Sequence, residues 1–156
     1  MRFPINVEVN DDVWSGTCPS IRGVSATGGT LAELRSSLSA ELISQLHQLM
    51  DRRTPIHLPE GDLGKDIHFI ELPFRAIAKL KVYEAMLSRK VPLNTLANMM
   101  MVKPSQVEQL FDLNHWTRTS VIEEALNALG YSVKMELADL DTNPEFVFGG
   151  TNYGED

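Results

Sequence analysis

The sequence is short of cysteine, of positive charge and of long apolar runs, and each shortage removes a class of protein. A single cysteine, Cys18, excludes an internal disulfide and a multi-cysteine zinc module, and it fits a reducing compartment. Lys and Arg number 14 against 21 Asp and Glu, a net charge of −7 over 156 residues. That is the wrong sign for a protein that coats nucleic acid through bulk charge. No stretch approaches the roughly 18 consecutive apolar residues of a membrane span, and the first eight residues lack the apolar core of a signal peptide. A cytoplasmic chain with no membrane partner is therefore expected. The histidines His47, His57, His68 and His115 are scattered along the chain, so no metal site is expected. Gly28-Gly29-Thr30 lacks the Lys of a phosphate loop. Nothing assembles a nucleophile, a base and an orienting group, so neither an enzyme nor a cofactor is expected.

What is present is the composition of an ordinary folded protein, 43% apolar and 22% charged, with its charge unevenly placed. Residues 1–66 hold 6 basic and 9 acidic side chains, residues 67–134 hold 8 and 6, and residues 135–156 hold 6 acids and no base. These segments read as an acidic first part, a mildly basic middle and an acidic tail.

The first segment opens with a period of two. Phe3, Ile5, Val7 and Val9 alternate with Pro4, Asn6, Glu8 and Asn10, the pattern of a half-buried strand. Asn10-Asp11-Asp12 favours a turn, and the chain returns from Val13 to Ile21 with Trp14, Gly16 and Cys18 on one side. A third strand spans Val24 to Thr27. Thr30-Leu31-Ala32-Glu33 is a capping box. Behind it Leu31, Leu34, Leu38, Leu42, Leu46, Leu49 and Met50 form one stripe of a long helix, which Pro55 prevents from continuing. Residues 59–66 read as a polar linker and Ile67–Leu72 as a further strand. The expected class is therefore α+β, a small antiparallel sheet with one packed helix followed by an all-α part.

From Pro73 to Gly130 the periods are helical. Phe74, Ile77, Leu80, Tyr83 and Leu87 predict one helix. A helix pair at 93–101 and 104–113 follows, and a last helix runs from about Arg118 to Gly130, a good C′ residue. Tyr131, Val133, Met135 and Leu137 predict a final strand. In the pair, Leu96-Ala97, Val107 and Leu110-Phe111 match a helix-turn-helix core, in which a small residue lets the second helix cross closely. The second helix would then offer Ser105, Gln106 and Gln109 to base edges, with Asn94, Thr95, Lys103 and Arg118 placed to hold phosphates. Met101 occupies the joint where the motif prefers Gly in a left-handed conformation. Glu108 and Asp112 add negative charge to the reading helix.

Taken together, these segments resemble the HicB family of bacterial antitoxins over about residues 2–137. The resemblance rests on Phe3-Pro4, Cys18-Pro19-Ser20-Ile21-Arg22-Gly23, Gly28-Gly29-Thr30-Leu31-Ala32-Glu33 and His68-Phe69-Ile70-Glu71-Leu72-Pro73. It rests also on Leu96-Ala97, Val107, Leu110-Phe111-Asp112-Leu113-Asn114-His115 and Ala128-Leu129-Gly130. Ser20 stands where the family usually has an acid, and Arg22 where it has a proline. The resemblance implies a partial RNase H-like, toxin-neutralising domain at 1–66 and a helix-turn-helix DNA-binding and dimerisation domain at 67–137. An acidic tail follows at 138–156. It implies a HicA-type toxin that cleaves mRNA as the protein partner, and operator double-stranded DNA bound by a homodimer or higher oligomer. Within the first domain Trp14, Ser20, Ile21 and Arg22 are the expected toxin contacts, since Trp and Arg anchor interfaces. The alternative is a stand-alone helix-turn-helix regulator whose first domain senses a ligand or protein.

Overall fold

A computed structural model describes residues 1–59 and 68–134. The chain starts with two short strands, β1 (Arg2–Pro4) and β2 (Asn6–Asn10), separated only by Ile5. The uninterrupted period of two therefore breaks at one residue, whose N–H donates to the His68 carbonyl at 2.9 Å. Strand β2 turns back into β3 (Val13–Thr17), and β3 pairs with β4 (Ser25–Gly28). This gives an antiparallel sheet in the order β2-β3-β4. Asp11 and Asp12 both have positive φ, 49° and 61°, so the hairpin closes through a two-residue turn of the kind whose twist suits paired strands. β3 ends at Thr17, short of the expected Ile21, because residues 18–24 form a tight excursion. The Cys18 N–H donates to the Val24 carbonyl, and the Ile21 N–H donates back to Cys18.

The long helix α1 (Leu31–Asp51) starts as its capping box requires. Thr30 Oγ1 accepts from the Glu33 N–H at 3.2 Å, but the Glu33 carboxylate reaches one residue further back, accepting from the Gly29 N–H at 2.8 Å. Leu34, Leu38, Leu42, Leu46 and Met50 are buried against the sheet. A Cβ on Gly16 would lie 3.0 Å from Leu38, and one on Gly28 would lie 2.7 Å from the Leu34 nitrogen. Helix and sheet approach that closely only because these two positions carry no side chain.

Strand β5 (Phe69–Glu71) pairs antiparallel with β1, with Phe3 opposite Ile70. Four helices follow: α2 (Phe74–Ser88), α3 (Leu93–Met100), α4 (Pro104–Glu108) and α5 (Thr119–Ala128). Their buried side chains join those of the sheet and α1 in one apolar cluster. The α2 stripe is turned from the expected one: Leu80 and Tyr83 are buried as predicted, but Phe74 is exposed, and Ala76, Lys79, Val82, Ala85 and Met86 lie inside. A helix enclosed on more than one side buries a broad band, and a single stripe read from its largest residues is then displaced. No strand forms among the described residues at 131–134; the rest of the expected strand, 135–137, and the tail lie outside the described residues. Among the described residues no helix is long and apolar enough to cross a membrane.

Helices α1, α2, α3 and α5 end in the same hydrogen-bond pattern. In each, the N–H one residue past a left-handed residue reaches back five positions: Thr54 to Leu49, Val91 to Met86, Val102 to Ala97 and Tyr131 to Leu126. This is the Schellman ending, which usually places Gly at the left-handed site. Only Gly130 does so here; Arg53, Lys90 and Met101 hold φ between 53° and 55° in the other three.

Candidate partner and nucleic-acid interfaces

The helical unit α3–α4 is built on the residues that the sequence singles out. Leu96, Ala97, Val107 and Leu110 are all fully buried, so the small side chain of Ala97 sits at the crossing, as a close helix pair requires. The joint is Met101-Val102-Lys103. Met101 adopts the left-handed conformation, φ 55° and ψ 41°, and its side chain is 92% exposed. That conformation costs roughly 1–2 kcal/mol for a residue with a Cβ. Two backbone bonds, from Met101 to Asn98 and from Val102 to Ala97, hold it in place.

The second helix is shorter than predicted. α4 ends at Glu108, and the chain continues through Leu110 N–H to Val107 and Phe111 N–H to Glu108, the tighter three-residue spacing. Lys79 lies against this end. This α2 side chain is 1% exposed, and its Nζ donates to the carbonyls of Gln109, Asp112 and His115 at 3.0, 2.7 and 2.7 Å. Three carbonyl acceptors use every hydrogen of an ammonium. Only Gln109 follows directly on α4, and its carbonyl is turned to the lysine instead of being passed along a helix. Burial pulls the Lys79 ammonium below the ordinary lysine value, while the Asp112 carboxylate pushes back. The Asp112 carboxylate also accepts from the Asn114 N–H at 3.0 Å, which fixes the turn.

The expected DNA-contacting residues Asn94, Thr95, Lys103, Ser105, Gln106, Gln109 and Arg118 are all exposed. Lys103 is the N-cap residue of α4 and Arg118 that of α5. Gln106 is half committed: its Oε1 accepts from the Lys103 N–H at 3.1 Å, which leaves its NH₂ group outward. Gln109 keeps a free side chain while its carbonyl is taken by Lys79.

The expected protein contacts divide differently. Ile21 is 4% exposed and belongs to the core, so it is not available to a partner: the excursion at 18–24 turns it inward. Ser20 and Trp14 are half-buried and Arg22 is exposed. Cys18 is buried, and desolvation pushes its thiol above the ordinary value, which suits a packing residue and not a nucleophile.

Two connections between the parts had no signal in the sequence. His47 of α1 accepts through Nε2 from the Leu113 N–H at 2.8 Å. The Tyr83 hydroxyl lies 2.9 Å from the Thr54 carbonyl and 3.3 Å from that of Leu49. A groove of about 640 Å³ lies alongside, lined by Met50, Tyr83, Met86, Leu93 and Phe111, with Asp51, Glu108 and Asp112 at its polar edge. Among the described residues no group of three His, Cys, Asp or Glu is placed to hold a metal ion.

No protein-family model matches the chain. Individual curated proteins do. Antitoxin HicB 2 of Photorhabdus laumondii is 26% identical over 135 residues, covering 86% of this chain and 95% of that protein. Antitoxin HicB of Pseudomonas fluorescens is 28% identical over 140 residues, 86% of this chain and 94% of its own length. Antitoxin HicB of Escherichia coli K12 is 26% identical over 108 residues, 69% and 78%.

Proposed function

We propose that the chain, 26–28% identical to curated HicB antitoxins over most of its length, is itself an antitoxin of that kind: it neutralises a HicA-type mRNA-cleaving toxin and represses its own operon as a DNA-bound dimer. In this reading residues 1–66 form a partial RNase H-like domain that covers the toxin without catalysing a reaction. Residues 67–137 form a helix-turn-helix unit that dimerises and reads the operator. The observation that carries the DNA-binding part is the α3–α4 pair. Leu96, Ala97, Val107 and Leu110 are buried in the core, while Ser105 and Gln106 on the second helix and Gln109 just past its end stay exposed. Gln pairs with adenine, and Lys103 and Arg118 supply positive charge for phosphates. The chain's negative total limits non-specific affinity, so operator binding depends on two copies engaging half-sites about one helical turn apart.

Two experiments test this. The chain is co-expressed with a HicA-type toxin, and growth and mRNA integrity are followed; persistent cleavage at equimolar ratio refutes the antitoxin role. Operator binding by the full chain is then compared with Gln106→Ala and Gln109→Ala. Each is expected to lose about 1–3 kcal/mol of discrimination, and unchanged affinity moves the reading surface elsewhere.

A further inference from the structure

The β2–β3 hairpin projects beyond the helix that covers its sheet. Directly paired residues point to one face, so Val9, Trp14 and Gly28 share the side on which α1 lies. The first turn of α1 meets that face at Gly28, where a Cβ would strike the Leu34 nitrogen. Trp14, one strand outward, is only half covered. Val9, two strands out, is 50% exposed, and Val13, paired with Asn10 and therefore on the opposite face of the hairpin, is 48% exposed. Apolar side chains thus stand on both faces of the hairpin tip, past the end of the helix. Around the tip stand Glu8, Asp11 and Asp12, all exposed, and residues 3–21 contain no basic side chain. Among the described residues none of these three acids makes an ion pair.

We propose that this hairpin end, Glu8 to Trp14, is the surface that docks the toxin, meeting a segment in which Lys or Arg flanks an apolar side chain. The inference rests on the antitoxin reading and names its contact surface. The charge selects among occupants. Nucleic acid is repelled by three unpaired carboxylates, and so is a second copy of the same tip; a basic protein is attracted. Val9 with the open side of Trp14 on one face, and Val13 on the other, provide the desolvated contacts that a segment wrapping the tip needs, with the acids as its rim. This end replaces the buried Ile21 as the apolar contact. It keeps Trp14 in that role.

The test uses the full chain and, as probe, a purified HicA-type toxin, with association and dissociation rates measured at low and high salt. Val9→Glu and Val9→Lys make an exposed position polar in both cases and differ only in sign. Val9→Lys is expected to bind at least about tenfold more weakly than Val9→Glu at low salt, the two converging as salt screens them. The triple change Glu8→Gln, Asp11→Asn and Asp12→Asn keeps a turn that tolerates positive φ and is expected to slow association about tenfold. Variants indistinguishable from the parent in both rates overturn the surface while leaving the antitoxin reading intact. A parent chain that does not bind the toxin at all overturns both.

Discussion

Replacing Lys79 by Met tests the central polar contact of the helical part. The substitution keeps a long flexible stem in the core and deletes only the ammonium. Three carbonyls, those of Gln109, Asp112 and His115, then lose a charged donor. Each such loss costs about 1–3 kcal/mol when the acceptor stays dry. Two effects work the other way: removing a buried cation returns part of its desolvation penalty, and loop carbonyls near the surface recruit water. The net loss expected is about 2–4 kcal/mol, which lowers Tm by about 4–16 °C at 2–4 °C per kcal/mol for a chain of this size.

Urea unfolding followed by far-UV circular dichroism reads the total, and hydrogen exchange reads where it is lost. Amides of residues 105–118 are expected to lose protection before those of α1, because the lysine ties that segment to α2. Lys79→Arg is not expected to rescue, since a planar guanidinium does not present three donors from one point. A Lys79→Met protein within about 0.5 kcal/mol of the parent, the range of ordinary surface changes, refutes the reasoning. The three contacts then contribute no more than the burial of the charge costs.

Met101→Gly is expected to stabilise by up to about 1 kcal/mol, the left-handed strain relieved less the extra freedom of glycine in the unfolded chain; thermal melting measures it, and destabilisation contradicts the assigned φ. Gly28→Ala places a Cβ 2.7 Å from the Leu34 nitrogen and is expected to cost about 1–3 kcal/mol through overpacking, seen as a lower urea midpoint. Cys18 is expected to resist alkylation in the folded protein and to react fully in denaturant. Its thiol pKa is raised by burial, so the folded state holds a proton that the unfolded state releases first. Stability therefore falls as pH climbs past the ordinary thiol value of about 8.5, and Cys18→Ala is expected to lose that part of the alkaline decline.

The elements that depend on neighbouring residues were legible before any coordinates. The capping box at Thr30, the leucine stripe of α1, the hairpin around Asp11-Asp12 and the buried set Leu96, Ala97, Val107 and Leu110 all follow from spacing. Helix ends were half legible. Gly130 marks the end of α5, but Arg53, Lys90 and Met101 fill the same left-handed position elsewhere. There the backbone bonds of the Schellman ending outweigh the cost of a Cβ, so a search for glycine finds one end in four.

What the spacing hid was made by groups far apart in sequence. A strand running from Val13 to Ile21 puts Ile21 on an exposed edge beside Trp14 and Arg22; the Cys18–Val24 and Ile21–Cys18 backbone bonds end the strand early and fold the segment inward. α4 is shorter than its spacing suggests, and the carbonyl just past its end bonds a lysine 30 residues earlier. Yet that lysine carried a signal. Ala76, Leu80, Tyr83 and Met86 define the buried side of α2, and Lys79 stands three residues from Ala76 and four from Tyr83, on the same face. A cation on a core face must find acceptors or unfold the helix that carries it. Its presence there predicts a cluster of unpaired carbonyls opposite, and hence an irregular segment in the helices packed against α2.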